Sequence, residues 1–337
     1  MTSTQLRSAE ATSARPARRP HRAAAAVLGA PLLLAAVVAV VLMAFGLPAV
    51  KGSPHDLPVG VAGPSAASTL VVEGLTHREP GALAVTGYDS QDALVAAIRD
   101  RDVYGGIVVG PSGPTVLIAG AASPAVAQAL TAIGQQLASA QHATVTVRDV
   151  VPLPAADPRG IGVAMVVLPL VIGSILPALA LGRLGARRRA QVAGALVYSV
   201  LGGLSTAAVL HYWFGSLDGD YLAESGVMAA TLAAGTLALL GLQWAFGRVG
   251  LAVGAVALVL VGNPLSGAMS APELLTSPWR EIGQGMTPGA GSQLLRSVTF
   301  FDGAGATGGW WVLAAWAVAG LVLVALPARR GHSAASK

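Results

Sequence analysis

Apolar residues in this chain are gathered into six long runs that contain no Asp, Glu, Lys or Arg. Each run can supply the roughly 20 apolar residues that a helix needs to cross a hydrocarbon core about 30 Å thick. The pattern therefore predicts a polytopic α-helical membrane protein with about six transmembrane helices. The predicted spans are residues 23–50, 160–182, 190–211, 225–247, 249–267 and 306–328.

The first run follows Arg15, Arg18, Arg19 and Arg22, so it could also be a signal peptide. Its apolar stretch exceeds the roughly 7 to 15 residues of a secretory signal, and five further runs still have to be placed. A retained anchor is therefore the favoured interpretation. Residues 1–22 then form a basic cytoplasmic N-terminus.

Residues 51–159 have a different pattern, in which charged residues return and the apolar period alternates between two and 3.6. Ser123 and Pro124 supply an N-cap and a first-turn proline for one helix. The charged residues 99–102 are interpreted as a solvated helix end, with a partner-binding patch as the alternative. We predict a small α/β domain with strands over 57–61, 82–88, 107–109, 115–119 and 143–151, and helices over 90–101 and 123–140.

The charged residues between the spans indicate an orientation. Alternating the six spans places 13 of the 21 basic residues and only one acid, Glu10, on one side, which leaves 8 basic residues and 15 acids on the other. The two sides carry net charges of +12 and −7. Because arginine-rich short loops stay inside, we expect both termini, including the tail 329–337, in the cytoplasm of a plasma-membrane protein and the α/β domain outside.

Composition agrees with this picture. The chain is 54% hydrophobic and 11% charged, whereas soluble domains carry about 25% charged residues. Cysteine is absent, which excludes disulfides and thiolate chemistry. Arginine outnumbers lysine 19 to 2, a bias typical of GC-rich bacterial genomes. The basic residues lie in short pieces beside the spans without interleaved aromatic residues, so anionic lipids rather than nucleic acid are the expected partner.

Catalytic signatures are missing from the sequence. A nucleotide-hydrolysing P-loop needs a lysine after a glycine-rich turn, and Lys51 and Lys337 lie in no such frame. The six histidines show no paired-ligand spacing, so neither a metal nor a cofactor is expected on this chain, and it is not expected to be an enzyme. The predicted spans contain no Asp, Glu, Lys or Arg, which argues against an ion-driven transporter.

A proline-rich stretch precedes the last predicted span. Its short helices, broken by proline and glycine, suit a segment that dips into the membrane without crossing it. We predict re-entrant or surface helices over 268–302. The residues predicted to form an outer re-entrant gate are Pro264, Pro272, Pro278, Trp279, Pro288 and Arg296.

This stretch, together with one helix, an outer domain and five further helices, resembles the permease subunits of ABC-2-type transporters. Residues 57–61, with the sequence LPVGV, are similar to the L-P-V-x-V segment of the branch that includes phage-infection-protein-like membrane proteins. The resemblance implies an exporter of amphipathic or hydrophobic compounds, built as a homodimer or heterodimer of permeases with a separate cytoplasmic ATPase that binds the ATP. The substrate itself is not evident from the sequence.

In that family, the loop between the second and third helices contacts the ATPase. The resemblance therefore implies a coupling role for Arg183, Arg187, Arg188 and Arg189, although each arginine can equally be a topology signal only. An alternative function also stays open at this stage. The chain could be a non-transporting scaffold or surface receptor whose outer domain binds a protein or an envelope component.

Overall fold

The computed structural model describes residues 31–32, 35–46, 52–64, 68–69, 71–74, 80–110, 113–140 and 142–326. Its strands are β1 Leu57–Ala62, β2 Leu83–Tyr88, β3 Gly105–Gly110, β4 Gly113–Ile118 and β5 Thr146–Asp149. Its principal helices are α1 Ala35–Gly46, α2 Gln91–Arg99, α3 Pro124–Ala140, α4 Ile161–Arg183, α5 Arg188–Trp213, α6 Tyr221–Gly262, α7 Trp279–Gln284, α8 Thr287–Phe300 and α9 Thr307–Ala325.

The five strands form one sheet in the order β2-β1-β3-β4-β5. The β1–β2, β1–β3 and β4–β5 pairs are parallel, and β3–β4 is an antiparallel hairpin. Helix α2 connects the parallel strands β2 and β3, and helix α3 connects β4 and β5. The predicted α/β domain is therefore present, with all five expected strands.

The two helices cover opposite faces of this sheet. On β4, Val116 packs with Val126 and Leu130 of α3, whereas the next residue, Leu117, packs with Leu94 of α2. This alternation follows from the two-residue period of a strand, which points successive side chains to opposite faces. Residues from outside the domain complete both cores, since Phe301 packs on the α2 side and Ala271 on the α3 side.

Four helical segments of the described chain are long and apolar enough to cross a membrane, namely α4, α5, α6 and α9. Many of their outward side chains are large, apolar and exposed, including Leu176, Val197, Val253 and Val322. Such a surface is typical of an integral membrane protein. The predicted first span is described as helix over 31–32 and Ala35–Gly46, and its remainder lies outside the described residues, as do residues 1–22 and 329–337.

Helix α6 is interrupted at Gly247, whose backbone angles are φ 67° and ψ −153°, a conformation that is essentially restricted to glycine. A Cβ atom at Gly254 would lie 2.7 Å from the side chains of Leu239 and Leu242. In an unbroken helix Gly254 and Leu239 would be about 22 Å apart. The two arms of α6 therefore fold back against each other at Gly247.

The contacts between helices place the α4–α5 loop, the turn of α6 and the end of α9 at one end of the bundle. Gly182, at the end of α4, lies against Gln243, Trp244 bonds to Gln191 at the start of α5, and Arg188 bonds to the end of α9. We call this the arginine end. The sheet packs at the opposite end, the sheet end, where Arg101 lies beside Gly305 in the turn before α9.

The structure changes the sequence-based picture of α6 in one respect. The helix begins at Tyr221, four residues before the predicted start at 225, because Asp220 caps it by accepting a hydrogen bond from the Ala223 N–H at 2.7 Å. Glu224 thereby enters the apolar helical segment, where it is fully buried. The expectation that the spans hold no acidic residue is therefore wrong for this helix.

Candidate functional site

The segment between the second arm of α6 and α9, residues 263–300, returns into the helix bundle instead of crossing it in one helix. It contains two 3-10 turns, Pro264–Ser266 and Pro272–Leu274, followed by α7 and α8. At its turn, the Gly285 carbonyl accepts a hydrogen bond from Trp316 Nε1 at 2.8 Å. Trp316 is the middle residue of the 19 in α9. The turn therefore lies halfway along the bundle.

Helix α8 rises from this turn towards the sheet end beside the first arm of α6. A Cβ at Gly235 would lie 3.7 Å from the Thr287 hydroxyl, and one at Gly219 would lie 2.9 Å from the Thr299 carbonyl. Gly235 lies about 20 Å along the helix from Tyr221. The described segment thus extends through about half of the bundle.

Close backbone contacts hold the 263–300 segment together. Gly283 packs directly on the backbone of Leu265, and Gly289 on that of Gly283, so a side chain at either glycine would collide with main-chain atoms. The Ser266 carbonyl accepts hydrogen bonds from Gln284 Nε2 at 3.0 Å and Ser292 Oγ at 3.3 Å. These contacts pack the residues before the turn at Gly285 against α8, which follows it, so that the segment forms one unit.

Arg296 of α8 fastens this unit to the sheet domain. Its side chain is 1% exposed, and its guanidinium donates to the carbonyls of Ala121 at 2.9 Å and Ala268 at 2.6 Å. It makes no ion pair with the acidic residues of the described chain. Burial, with repulsion from Arg101, lowers the pKa of Arg296 from 12.5 to about 10. It therefore remains charged at neutral pH and acts as a cationic clamp.

We call the contact between the sheet domain and the 263–300 segment the junction. Two side chains of the sheet domain contribute further hydrogen bonds to it. Arg101, in the left-handed conformation that follows α2 (φ 63°), donates to the Gln293 carbonyl at 3.1 Å and to Gln293 Oε1 at 2.9 Å. Tyr104 donates to Glu273 Oε2 at 2.7 Å. Burial, assisted by the negative charge of Glu273, raises the pKa of Tyr104 well above its ordinary value, so its hydroxyl stays protonated and can donate.

A cavity of about 460 Å³, lined by apolar and hydrogen-bonding residues, lies between the sheet domain and the 263–300 segment. Its walls combine cationic, anionic and amide groups contributed by both sides. The hydrogen-bonding residues that line it are Arg101, Tyr104, Glu273, Arg280, Glu281, Gln284 and Gln293. The sequence predicts that Arg101 lies at a solvated helix end. In the structure its side chain points into the cavity instead, because Arg101 itself adopts the left-handed conformation after α2 and changes the direction of the chain.

The predicted gate residues all lie in this segment. Pro264 and Pro272 begin the two 3-10 turns, Pro278 directly precedes α7, and Trp279, at the start of α7, is 52% exposed. Pro288, the second residue of α8, packs against Gly262 at the end of α6. Arg296 is the member that reaches the sheet domain.

The predicted coupling arginines lie together at the arginine end. Arg188 donates to the carbonyls of Val324 at 2.6 Å and Leu326 at 2.5 Å, and its guanidinium carbon lies 4.3 Å from the centre of the Trp244 ring. Arg188 thus holds the last turn of α9, a position where a cation is favourable. Arg183, Arg187 and Arg189 are exposed.

A pair of ionisable side chains, a buried Glu224 and a half-buried His211, lies at the sheet end. Glu224 Oε2 is 2.9 Å from His211 Nδ1, and Glu224 Oε1 accepts from the Gly219 N–H at 3.1 Å. The His211 ring belongs to the π-helical last turn of α5, Val209–Trp213, and such turns are frequent at functional sites. The sequence analysis did not predict this pair. The available signal was that His211 and Glu224 lie at the two ends of one predicted loop.

Among the described residues, no group of three or more His, Asp or Glu side chains comes together in an arrangement that could hold a metal ion. In comparisons with protein-family models, curated proteins and solved structures, nothing matches this chain.

Proposed function

We propose that this chain is the membrane-spanning permease subunit of an ABC-2-type exporter, which moves an amphipathic or hydrophobic compound out of the cytoplasm or the inner leaflet. The observation that carries the proposal is the 263–300 segment, which turns halfway along the bundle and is clamped to the sheet domain. Irregular backbone at membrane depth occurs where it is buried in protein or lines a cavity. Discontinuous helices of this kind form the moving and binding parts of transporters.

The proposed topology has six spans in the plasma membrane, with both termini in the cytoplasm. The spans are the first predicted one, α4, α5, the two arms of α6 and α9. The positive-inside rule supports this orientation, since Arg183, Arg187, Arg189 and Arg248 are all exposed at the arginine end. The sheet domain, which belongs to the acidic side, is then extracytoplasmic.

The energy is proposed to come from ATP hydrolysed by a separate cytoplasmic subunit. Arg183, Arg187 and Arg189 offer an exposed cationic surface on which such a subunit could dock. Arg188 connects the same loop to Trp244 and to the end of α9. A displacement of the loop would therefore be passed to α6 and α9, and along α9 to Trp316 and the turn of the 263–300 segment.

A second permease subunit, identical or homologous, completes the proposed exporter. Helix α5 carries a row of exposed apolar side chains, at Leu196, Val197, Val200 and Leu201, that is available to membrane lipids or to the second subunit. The mutual approach of helices in a membrane depends on close packing.

Cross-linking from the arginine end tests the proposal. The chain contains no cysteine, so a single Leu184→Cys substitution, at a side chain that is 71% exposed, can carry a photoactivatable cross-linker attached to its thiol. In native membranes we expect this variant to capture a soluble protein with Walker motifs, identified by mass spectrometry. The purified permease alone should show no ATP hydrolysis.

The matched control is Asp89→Cys, at an exposed position of the sheet domain, which should capture no ATPase. If no Walker-motif protein is captured from Leu184→Cys or recovered in a native pull-down, the exporter assignment fails. Capture of the same ATPase from both positions would contradict the docking surface.

A further inference from the structure

A second cavity, separate from the junction described above, opens between α4 and α5 at the sheet end. Its volume is about 770 Å³, within the range of small-molecule sites. Apolar side chains with large exposed fractions form its outer walls, including Met165 (65%) and Val209 (43%). The groove therefore opens on the apolar outer surface of the helix bundle.

Two aromatic rings stand at the mouth of this groove. Trp213 is 85% exposed and Phe214 is 54% exposed, and both line the cavity. An exposed indole at a helix end is equally well explained as an interfacial anchor. The faces of such rings also attract cations, and the attraction grows when the cation is desolvated.

The polar floor of the groove contains three hydroxyl groups, from Ser205, Thr206 and Ser216, and one charged side chain, Asp157. Asp157 is 9% exposed, and its two carboxylate oxygens accept from the N–H groups of Ile161 at 2.9 Å and Gly162 at 2.7 Å. These bonds fix the carboxylate at the base of the groove.

Asp157 is ionised at neutral pH. Burial by itself raises the pKa of this carboxyl, but hydrogen bonds from Gly162, Ile161 and Ser216, together with the nearby Arg159 guanidinium, outweigh it, and the pKa lies below its ordinary value. Arg159 is exposed and does not line the groove. The groove therefore presents a negative charge, aromatic faces and an apolar wall.

We propose that this groove binds lipophilic monocations, and that such compounds are the substrate class of the exporter. The proposal rests on the proposed function for the transport step, but the binding step is independent of it. A single carboxylate in an apolar, partly desolvated groove favours a single positive charge. The apolar walls and the 770 Å³ volume favour a bulky hydrophobic body over an inorganic cation.

Tetraphenylphosphonium and tetraphenylborate test this inference, because the two ions have nearly the same size and shape and opposite charges. Equilibrium binding of each is measured to the full chain in phosphatidylcholine nanodiscs without an ATPase. The wild-type protein should bind the cation more tightly than the anion. If the protein does not prefer the cation, the cross-linking result with the ATPase is unaffected. The failure of the binding proposal can therefore be distinguished from the failure of the proposed function.

Asp157→Asn removes the charge and keeps one oxygen, which can accept one of the two N–H bonds. We expect it to weaken tetraphenylphosphonium binding roughly tenfold and to strengthen tetraphenylborate binding. Arg159→Gln, the matched variant, removes a positive charge instead. It should strengthen tetraphenylphosphonium binding and weaken tetraphenylborate binding. Trp213→Leu should weaken cation binding about threefold. Unchanged thermal unfolding confirms that each variant is folded.

Two results would overturn the inference. In the first, Asp157→Asn shifts the affinities of both ions in the same direction or leaves both unchanged, which would make the groove merely apolar. In the second, Arg159→Gln weakens cation binding as Asp157→Asn does.

Discussion

Replacing Arg296 with alanine is expected to lower the free energy of unfolding by about 4 kcal/mol. The substitution leaves the carbonyls of Ala121 and Ala268 buried without their donor, at about 2 kcal/mol each. Loss of the packed aliphatic stem and the resulting cavity add about 3 kcal/mol. Removing a cation whose pKa burial has lowered to about 10 returns roughly 3 kcal/mol, so the losses prevail.

Arg296→Met separates these contributions, since methionine keeps much of the volume and also removes the charge. It should cost only about 1 kcal/mol. Reversible denaturation in mixed micelles measures both values. The control is Arg280→Ala in the same segment, where the arginine is a third exposed and, among the described residues, pairs only with its neighbour Glu281, so the change should stay within about 0.5 kcal/mol. If Arg296→Ala lowers the free energy of unfolding no more than Arg280→Ala does, the conclusion that Arg296 fastens the segment to the sheet domain is wrong.

Gly241→Leu is expected to destabilise the helix bundle by about 3 kcal/mol. A Cβ at Gly241 would lie 2.6 Å from the Gly320 carbonyl oxygen and 2.9 Å from Leu323 Cβ. Helices α6 and α9 therefore cross here with their backbones in contact, an arrangement typical of small residues between membrane helices. A leucine would push the two helices apart. The same micellar denaturation measures the effect.

Gly226 provides the matched control, because it lies in the same arm of α6 and a Cβ atom there would have no neighbour within 4 Å from the described residues beyond its own turn of helix. Gly226→Leu should not lower the free energy of unfolding and is expected to raise it by up to about 1 kcal/mol, because glycine is unfavourable inside a helix. If the two leucine substitutions destabilise the protein equally, close contact between α6 and α9 is not what stabilises this crossing.

The sheet domain can be predicted from the sequence because its strands and helices each carry a local period. The sequence predicts β1 over 57–61, and the strand is Leu57–Ala62; it predicts α3 over 123–140, and the helix is Pro124–Ala140. The fifth strand is shorter than its predicted range 143–151, since only Thr146–Asp149 finds a partner in β4. An apolar pattern alone does not reveal where pairing ends.

The junction can be predicted only in part. The prolines that break the 263–300 segment are visible in the sequence, and Arg296 stands out among them as a charged residue. Its two acceptors are backbone carbonyls at Ala121 and Ala268, which leave no mark in the sequence. Arg101 and Gln293 meet across 192 positions of chain, and no local pattern could pair them. Glu224 escapes prediction because a capped helix start, rather than hydropathy, brings it inside α6.

The most direct test of the proposed topology, which the exporter assignment needs, is the labelling of single cysteines by a membrane-impermeant maleimide in intact cells. Asp89→Cys reports on the sheet domain and Leu184→Cys on the arginine end, and Ala290→Cys, at a position that is 3% exposed, is the unlabelled control. We predict labelling of Asp89→Cys in intact cells and of Leu184→Cys only after permeabilisation. Labelling of both Asp89→Cys and Leu184→Cys in intact cells, or of both only after permeabilisation, would place both ends of the bundle in one compartment and contradict the proposed topology.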